Sequence, residues 1–177
     1  MDAFARLAPV SDQYATLPVA DAFTWADGAT ELGVGEWYLV AFRSVRADGA
    51  DEARLDAYDE AAHQEAAASP GFVHYLKGPR SSDGTCMSFC LWQSRAEARA
   101  AAGKPLHVRA VSLLDEMYES YTLEFVHVRR ETADSPLTFA PYPTSPHAFG
   151  HHDAAIPPLP QPEPGLQPFA IRPAPAS

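Results

Sequence analysis

A chain of 177 residues, 46% apolar and 20% charged, is long enough for one domain of about 100 to 150 residues and a smaller appendage. Thirteen Lys and Arg against 23 Asp and Glu leave a net charge of −10, the wrong sign for neutralising phosphates or coating anionic lipid, so neither nucleic acid nor a membrane is expected as a partner. No window approaches the roughly 18 uninterrupted apolar residues of a membrane helix, and the N-terminus lacks a basic flank and an apolar signal core. A cytoplasmic protein is expected.

Residues 1–35 carry five acids and one arginine, with isolated apolar anchors at Phe4, Leu7, Tyr14, Phe23 and Trp25 and no sustained period. This reads as an N-terminal arm that covers the core. Residues 36–131 alternate in period. Trp37 to Val45 is apolar and β-rich and ends at the Asp48-Gly49 turn, a first strand. Asp51 to Ala67 lacks Gly and Pro and places Leu55, Tyr58, Ala62 and Ala66 on one stripe, a first helix stopped by Pro70 and Gly71. Residues 72–77 and 85–92 flank a Gly-, Pro- and Ser-rich loop, as two strands of a hairpin do.

Ser94 and Glu97 stand at capping-box spacing, which predicts a helix start and a short helix to Ala102. Gly103 breaks it. Pro105 suits a first helical turn, and His107, Val111, Leu114 and Tyr118 form one stripe, predicting a second helical segment to about Glu119. Residues 121–128 read as strand four. The order β-α-β-β-α-β predicts an α+β, ferredoxin-like fold, an antiparallel sheet with both helices on one face.

Residues 132–177 hold 12 of the 17 prolines and four formal charges, a Pro-rich C-terminal tail unsuited to helix or central strand. Phe139, Tyr142, Phe149 and residues 166–171 are apolar enough to dock, on the chain's own dimer or on a protein partner. His147, His151, His152 and Asp153 could in principle gather round zinc or nickel, but no rigid element fixes them, and a solvated loop is the expected state. No metal site is expected. Cys86 and Cys90 sit four apart on one strand face, about 13 Å from one another and beyond disulfide reach, as buried packing thiols. Dinucleotide and phosphate loops, a GxSxG elbow and a CxxC pair are all missing, so nucleotide cofactors, serine hydrolysis and thiol relays have no starting point.

The stretches GEWYLVAF (35–42), SPGFVHY (69–75), LWQSRAEAR (91–99) and KPLH (104–107) resemble the antibiotic biosynthesis monooxygenase family, within the dimeric α+β barrel superfamily. Trp92 at a strand end, the Ser/Glu-capped helix, and Pro105 then His107 carry that resemblance. It covers about 96 of the 177 residues and implies a homodimer built by packing two sheets face to face, with small-molecule ligands held between sheet and helices. It also implies a cofactor-independent monooxygenase acting on an electron-rich aromatic or polyketide-like molecule, which needs an apolar pocket, a base and oxyanion donors. By this reading His107, His63 and Tyr118 are catalytic candidates, and Trp92, Tyr58 and His74 line the substrate; no cofactor is expected. The chain contains no asparagine, so the Asn-based sites of the quinone-forming and haem-degrading relatives do not carry over. The alternative reading is a non-catalytic binding or assembly protein that keeps the scaffold and docks a partner through its tail. The first reading expects a cavity lined by His107, Tyr118, Tyr58, Trp92 and His63; the second expects a filled interior.

Overall fold

Why the arm has no period becomes clear in the computed structural model, which describes residues 4, 6–28 and 32–143. Its short pieces, a 3-10 turn at Tyr14–Thr16, α1 (Val19–Ala22) and α2 (Trp25–Gly28), follow the surface they lie on and not a helical repeat. Next come β1 (Gly35–Arg46), α3 (Glu52–Ala67), β2 (Phe72–Lys77), β3 (Thr85–Trp92), α4 (Arg95–Ala102), α5 (Pro105–Val111), α6 (Leu114–Met117), β4 (Tyr118–Arg130) and β5 (Thr138–Pro141). The five strands form one antiparallel sheet in the order β2-β3-β1-β4-β5. Without β5 that order is the ferredoxin-like one, and the fold is α+β.

Local chemistry sets the element ends. Asp51 caps α3, its Oδ1 accepting from the Arg54 N–H at 3.0 Å, and Ser94 caps α4 by accepting from the Glu97 N–H at 3.3 Å. The Ser94 hydroxyl also donates to Glu97 Oε2 at 2.8 Å. Gly71, at φ 73°, makes the turn into β2; a side chain there would be strained and would collide with the Glu97 carboxylate.

The sheet has two unlike faces, and strand alternation assigns residues to them. On the helix face, Tyr38, Val40, Cys90, Trp92 and Phe125 pack with Phe72, Ala66, Ala98, Ala101 and Tyr142. At the other end of that layer, Leu55, Leu113 and Met117 gather with Tyr58 and Tyr118. On the opposite face, Leu39, Ala41, Met87, Phe89, Leu91, Val126 and Val128 are covered by the arm, whose Phe4, Leu7, Tyr14, Val19, Phe23, Trp25 and Leu32 are all buried. Each such side chain contributes about 1.5–3 kcal/mol when removed from water.

Three differences from the sequence reading matter. The segment 105–119 is not one helix: α5 stops at Val111, α6 is a single turn, and Tyr118 already has strand geometry (φ −128°, ψ 135°). Tyr118 therefore opens β4, opposite Arg46 across a register shift at Val45/Arg46, and does not lie on a helix. Second, residues 138–141, inside the segment read as tail, add an edge strand to β4; Pro141 sits at its end, where a missing N–H costs least. Third, β1 and β4 run beyond the expected 37–45 and 121–128 at both ends. The described residues up to Tyr142 form one compact unit. His147, Phe149, His151, His152, Asp153 and residues 166–171 lie outside the described residues.

Candidate functional site

The residues singled out in the sequence fall into separate neighbourhoods. Tyr58 and Tyr118 do meet, in the cluster with Leu55, Leu113 and Met117. Tyr118 packs edge-on against Phe42 at 5.2 Å, and the Arg46 guanidinium lies 5.0 Å over its ring. Burial raises the Tyr118 hydroxyl's pKa, opposed by the positive charge of Arg46. His63 sits 4.8 Å from the Tyr75 ring and 6.0 Å from Phe72, and its Nδ1 is 3.9 Å from Glu60. Trp92 also meets Phe72, 5.4 Å away and nearly perpendicular. Beside His63, the Tyr75 hydroxyl donates to Asp59 at 2.7 Å, while Lys77 pairs with Asp56 at 2.7 Å and Asp59 at 3.2 Å.

His107 stands apart, at the contact of α5 with α3. Glu65 Oε2 accepts the backbone N–H groups of Leu106 and His107, at 3.0 and 3.2 Å, and so caps α5, which has no side-chain cap of its own. Burial lowers the imidazole's pKa, partly offset by the Glu65 charge, so neutral His107 is the form this setting favours. His74 lies on the other face altogether, its ring stacked on Phe4 at 4.2 Å beneath the arm. A pocket between helices and sheet cannot include it.

Two cavities open where β1 begins and β4 ends, and neither is lined by any of these six residues. One, of about 430 Å³, is a shallow basin of Val34, Gly35, Glu36 and residues 129–132. Its charges already pair with one another, Arg129 with Glu36 at 3.3 Å and with Glu131 at 3.4 Å. All three side chains are more than half exposed, so water screens these pairs strongly.

The second, of about 160 Å³, is smaller and chemically richer. It is lined by Glu36, Trp37, Tyr38, Gln93, Ser94, Arg95, His127 and Tyr142. Register explains the convergence: Tyr38 and His127 are cross-strand partners on the helix face, and β3 ends opposite Tyr38 at Trp92, delivering Gln93 to Arg95. Tyr142 arrives from β5, its N–H donating to the Phe125 carbonyl at 2.8 Å. Its ring stands edge-on to Tyr38 at 4.8 Å and to His127 at 6.3 Å. Arg95 lies 5.8 Å over that ring. His127 Nε2 is 3.4 Å from Glu36 Oε2, so a carboxylate stands beside the imidazole. Tyr38 is 4% exposed; burial raises its hydroxyl's pKa against the hydrogen bond and charge of Arg95, keeping it a neutral donor.

Sequence reasoning missed His127, Glu36, Tyr38 and Arg95 as site residues. The signal was there, because the alternation through Tyr121, Leu123, Phe125 and His127 puts the histidine on the helix face. Among the described residues no group of three or more His, Cys, Asp or Glu could hold a metal ion, and no helix is long and apolar enough to cross a membrane.

Residues 1–140 match the model of the PB2B2.08-like family, a span from the arm to the third residue of β5. The chain belongs to that family. No curated protein matches this PB2B2.08-like chain. Among solved structures it is similar to SnoaB, a cofactor-independent oxygenase from Streptomyces nogalater, at 18% identity over 57% of this chain and 99% of that one, with a TM-score of 0.42. It is also similar to a dimeric ferredoxin-like protein of unknown function from Thermobifida fusca, at 14% identity over 56% and 96% of the two chains and a TM-score of 0.44. A third is protein SO0527 from Shewanella oneidensis, at 15% identity over 52% and 90%, TM-score 0.46.

Proposed function

We propose that this PB2B2.08-like protein binds a small electron-rich aromatic molecule in the pocket at His127 and acts there as a cofactor-independent monooxygenase. The observation that supports this is the convergence of an imidazole beside Glu36, the Arg95 guanidinium and two tyrosine rings around one opening. Such a set supplies what the oxygenase chemistry implied by the family resemblance requires. Imidazole is the side-chain base suited to neutral pH, and Glu36 stabilises the imidazolium that proton abstraction creates. Arg95 and the Tyr38 hydroxyl donate toward developing phenolate charge. The phenolate then reacts with O2, and the balance is one phenol and one O2 giving one quinone and one water, with no outside reductant. At about 160 Å³ the pocket falls below the range of about 300–1,000 Å³ typical of drug-sized ligands, so it suits one ring with the rest of the molecule outside.

A second reading, binding without turnover, is favoured by the packing around Tyr58 and Tyr118, where Met117 is 0% exposed and Leu113 3%. One experiment separates them: oxygen uptake with a panel of hydroxylated benzenes and naphthalenes, beside NMR titration of the histidine ring protons. Uptake matched one to one by quinone, falling about 100-fold or more in His127→Gln, is the expected outcome. Phenol binding at His127 without uptake would establish the second reading, and neither signal would sink both.

A further inference from the structure

The arm occupies the sheet face that the family resemblance assigns to a second copy of the chain, and its polar contacts show how closely it is fitted there. Tyr14, 1% exposed, reaches the point where β2 and β3 separate. Its hydroxyl accepts the Met87 N–H at 3.1 Å and donates to the Pro79 carbonyl at 2.7 Å. Residue 78 has to be glycine for this, because a Cβ would overlap the Tyr14 hydroxyl.

Two arginines on the same face are completed by arm backbone. Arg43 pairs with Glu124 on the neighbouring strand at 2.8 Å and donates to the Leu17 carbonyl at 2.9 Å. Arg130, 9% exposed, donates to the Leu32 carbonyl at 2.7 Å. Each already has one buried N–H without a partner, Arg43 Nη1 and Arg130 Nε. A second sheet laid on this face would take away both arm carbonyls and offer apolar side chains in their place. The aromatic ring contacts are as specific: Phe23 meets Phe89 at 5.2 Å, Trp25 meets Phe139 at 5.0 Å, and Phe4 stacks on His74.

We infer that the arm is a built-in replacement for the second sheet: its described residues, 4, 6–28 and 32, close the sheet face opposite α3 to α5 within one chain, and a homodimer of this protein uses some other surface. The family match begins at residue 1, so the cover lies within the span that the family model matches. The inference is independent of the chemistry proposed at His127.

The test leaves the protein unmutated. In uniformly labelled full-length chain, NOESY cross-peaks are expected for Phe23–Phe89, Trp25–Phe139 and Phe4–His74. Labelled and unlabelled chains are then unfolded together, refolded as a mixture, and recorded with an isotope filter that passes only contacts between different copies. Complete loss of those three cross-peaks in the filtered spectrum is the expected result. Their survival would mean the arm covers a neighbour's sheet and would overturn the inference. Filtered cross-peaks joining Leu39, Ala41 or Phe89 of one copy to the same residues of another would overturn it too, as would absence of all three from the uniform sample.

Discussion

Replacing Tyr14 by Phe removes one oxygen from a closed interior and leaves the ring's packing on Phe23 intact. The consequence can be worked out group by group. The Pro79 carbonyl belongs to an exposed residue and can turn to water. The Met87 carbonyl keeps the Gly78 N–H, 3.1 Å away. The Met87 N–H is different: Met87 is 0% exposed, and the Tyr14 oxygen is the acceptor the fold provides for it. Stranding one buried donor costs about 1–3 kcal/mol, and no cavity is added, so about 2 kcal/mol is expected. For a unit of this size that lowers Tm by roughly 4–8 °C. Urea unfolding followed by tryptophan fluorescence should show the midpoint falling with the slope unchanged. Gly78→Ala should cost more than Tyr14→Phe, because its Cβ would overlap the Tyr14 ring and the Met87 carbonyl as well as the hydroxyl. A loss below about 0.5 kcal/mol for Tyr14→Phe would refute the account of the arm as a hydrogen-bonded cover.

The remaining predictions are local. His107 has a lowered pKa when folded, so below the ordinary value of 6.5 the unfolded chain binds more protons and stability falls as pH drops. The cost of His107→Gln should therefore be smaller at pH 5.5 than at pH 7.5, by up to about 1.4 kcal/mol per pH unit, and a cost independent of pH would contradict the partial burial of that ring. Ser94→Ala removes the α4 cap and should cost about 1 kcal/mol, with Ser94→Asp recovering most of it; equal losses in both variants would show that the cap is not what holds the turn. Glu65→Ala uncovers the first N–H groups of α5 and should cost a similar amount, read as faster amide exchange at Leu106 and His107.

Strands and the two capped helices were legible because each carries its own signal: an apolar, β-rich run ending at a turn pair in residues 37–45, a Gly-, Pro- and Ser-rich loop between 72–77 and 85–92, an apolar stripe behind an acidic start in 51–67, a Ser/Glu pair at 94 and 97. Where two signals overlapped, the wrong one was read. His107, Val111, Leu114 and Tyr118 keep helical spacing, yet β1 extends to Arg46 and needs a partner there, so pairing takes Tyr118 into β4 and the helical run ends a turn early. The arm's anchors were visible as apolar residues, but which surface they covered was not, since a segment shaped by its contacts leaves no period. Likewise the His127 pocket is assembled from β1, the β3–α4 junction, β4 and the residue after β5, and its ingredients are separated by up to about a hundred residues. His107 carries the resemblance, whereas in the structure its backbone is held by Glu65 and its ring is half-buried.

A covering segment on the same chain also changes the arithmetic of assembly. Tethered to β1, the arm competes for the sheet face opposite α3 to α5 at an effective concentration of order millimolar. A second copy at about micromolar concentration would need roughly a thousandfold better intrinsic affinity, about 4 kcal/mol, only to match it. It would begin with a deficit, because it must also replace the Leu17 and Leu32 carbonyls that complete Arg43 and Arg130. The two arginines thus select for the arm and against an apolar sheet, as unpaired buried donors do wherever one surface could accept either of two partners. It follows that the Arg43→Met, Arg130→Met double variant should weaken the arm's hold and leave the sheet face more acceptable to a second sheet. If sedimentation showed that double variant less self-associating than the native chain, the arginines would not be the selective element.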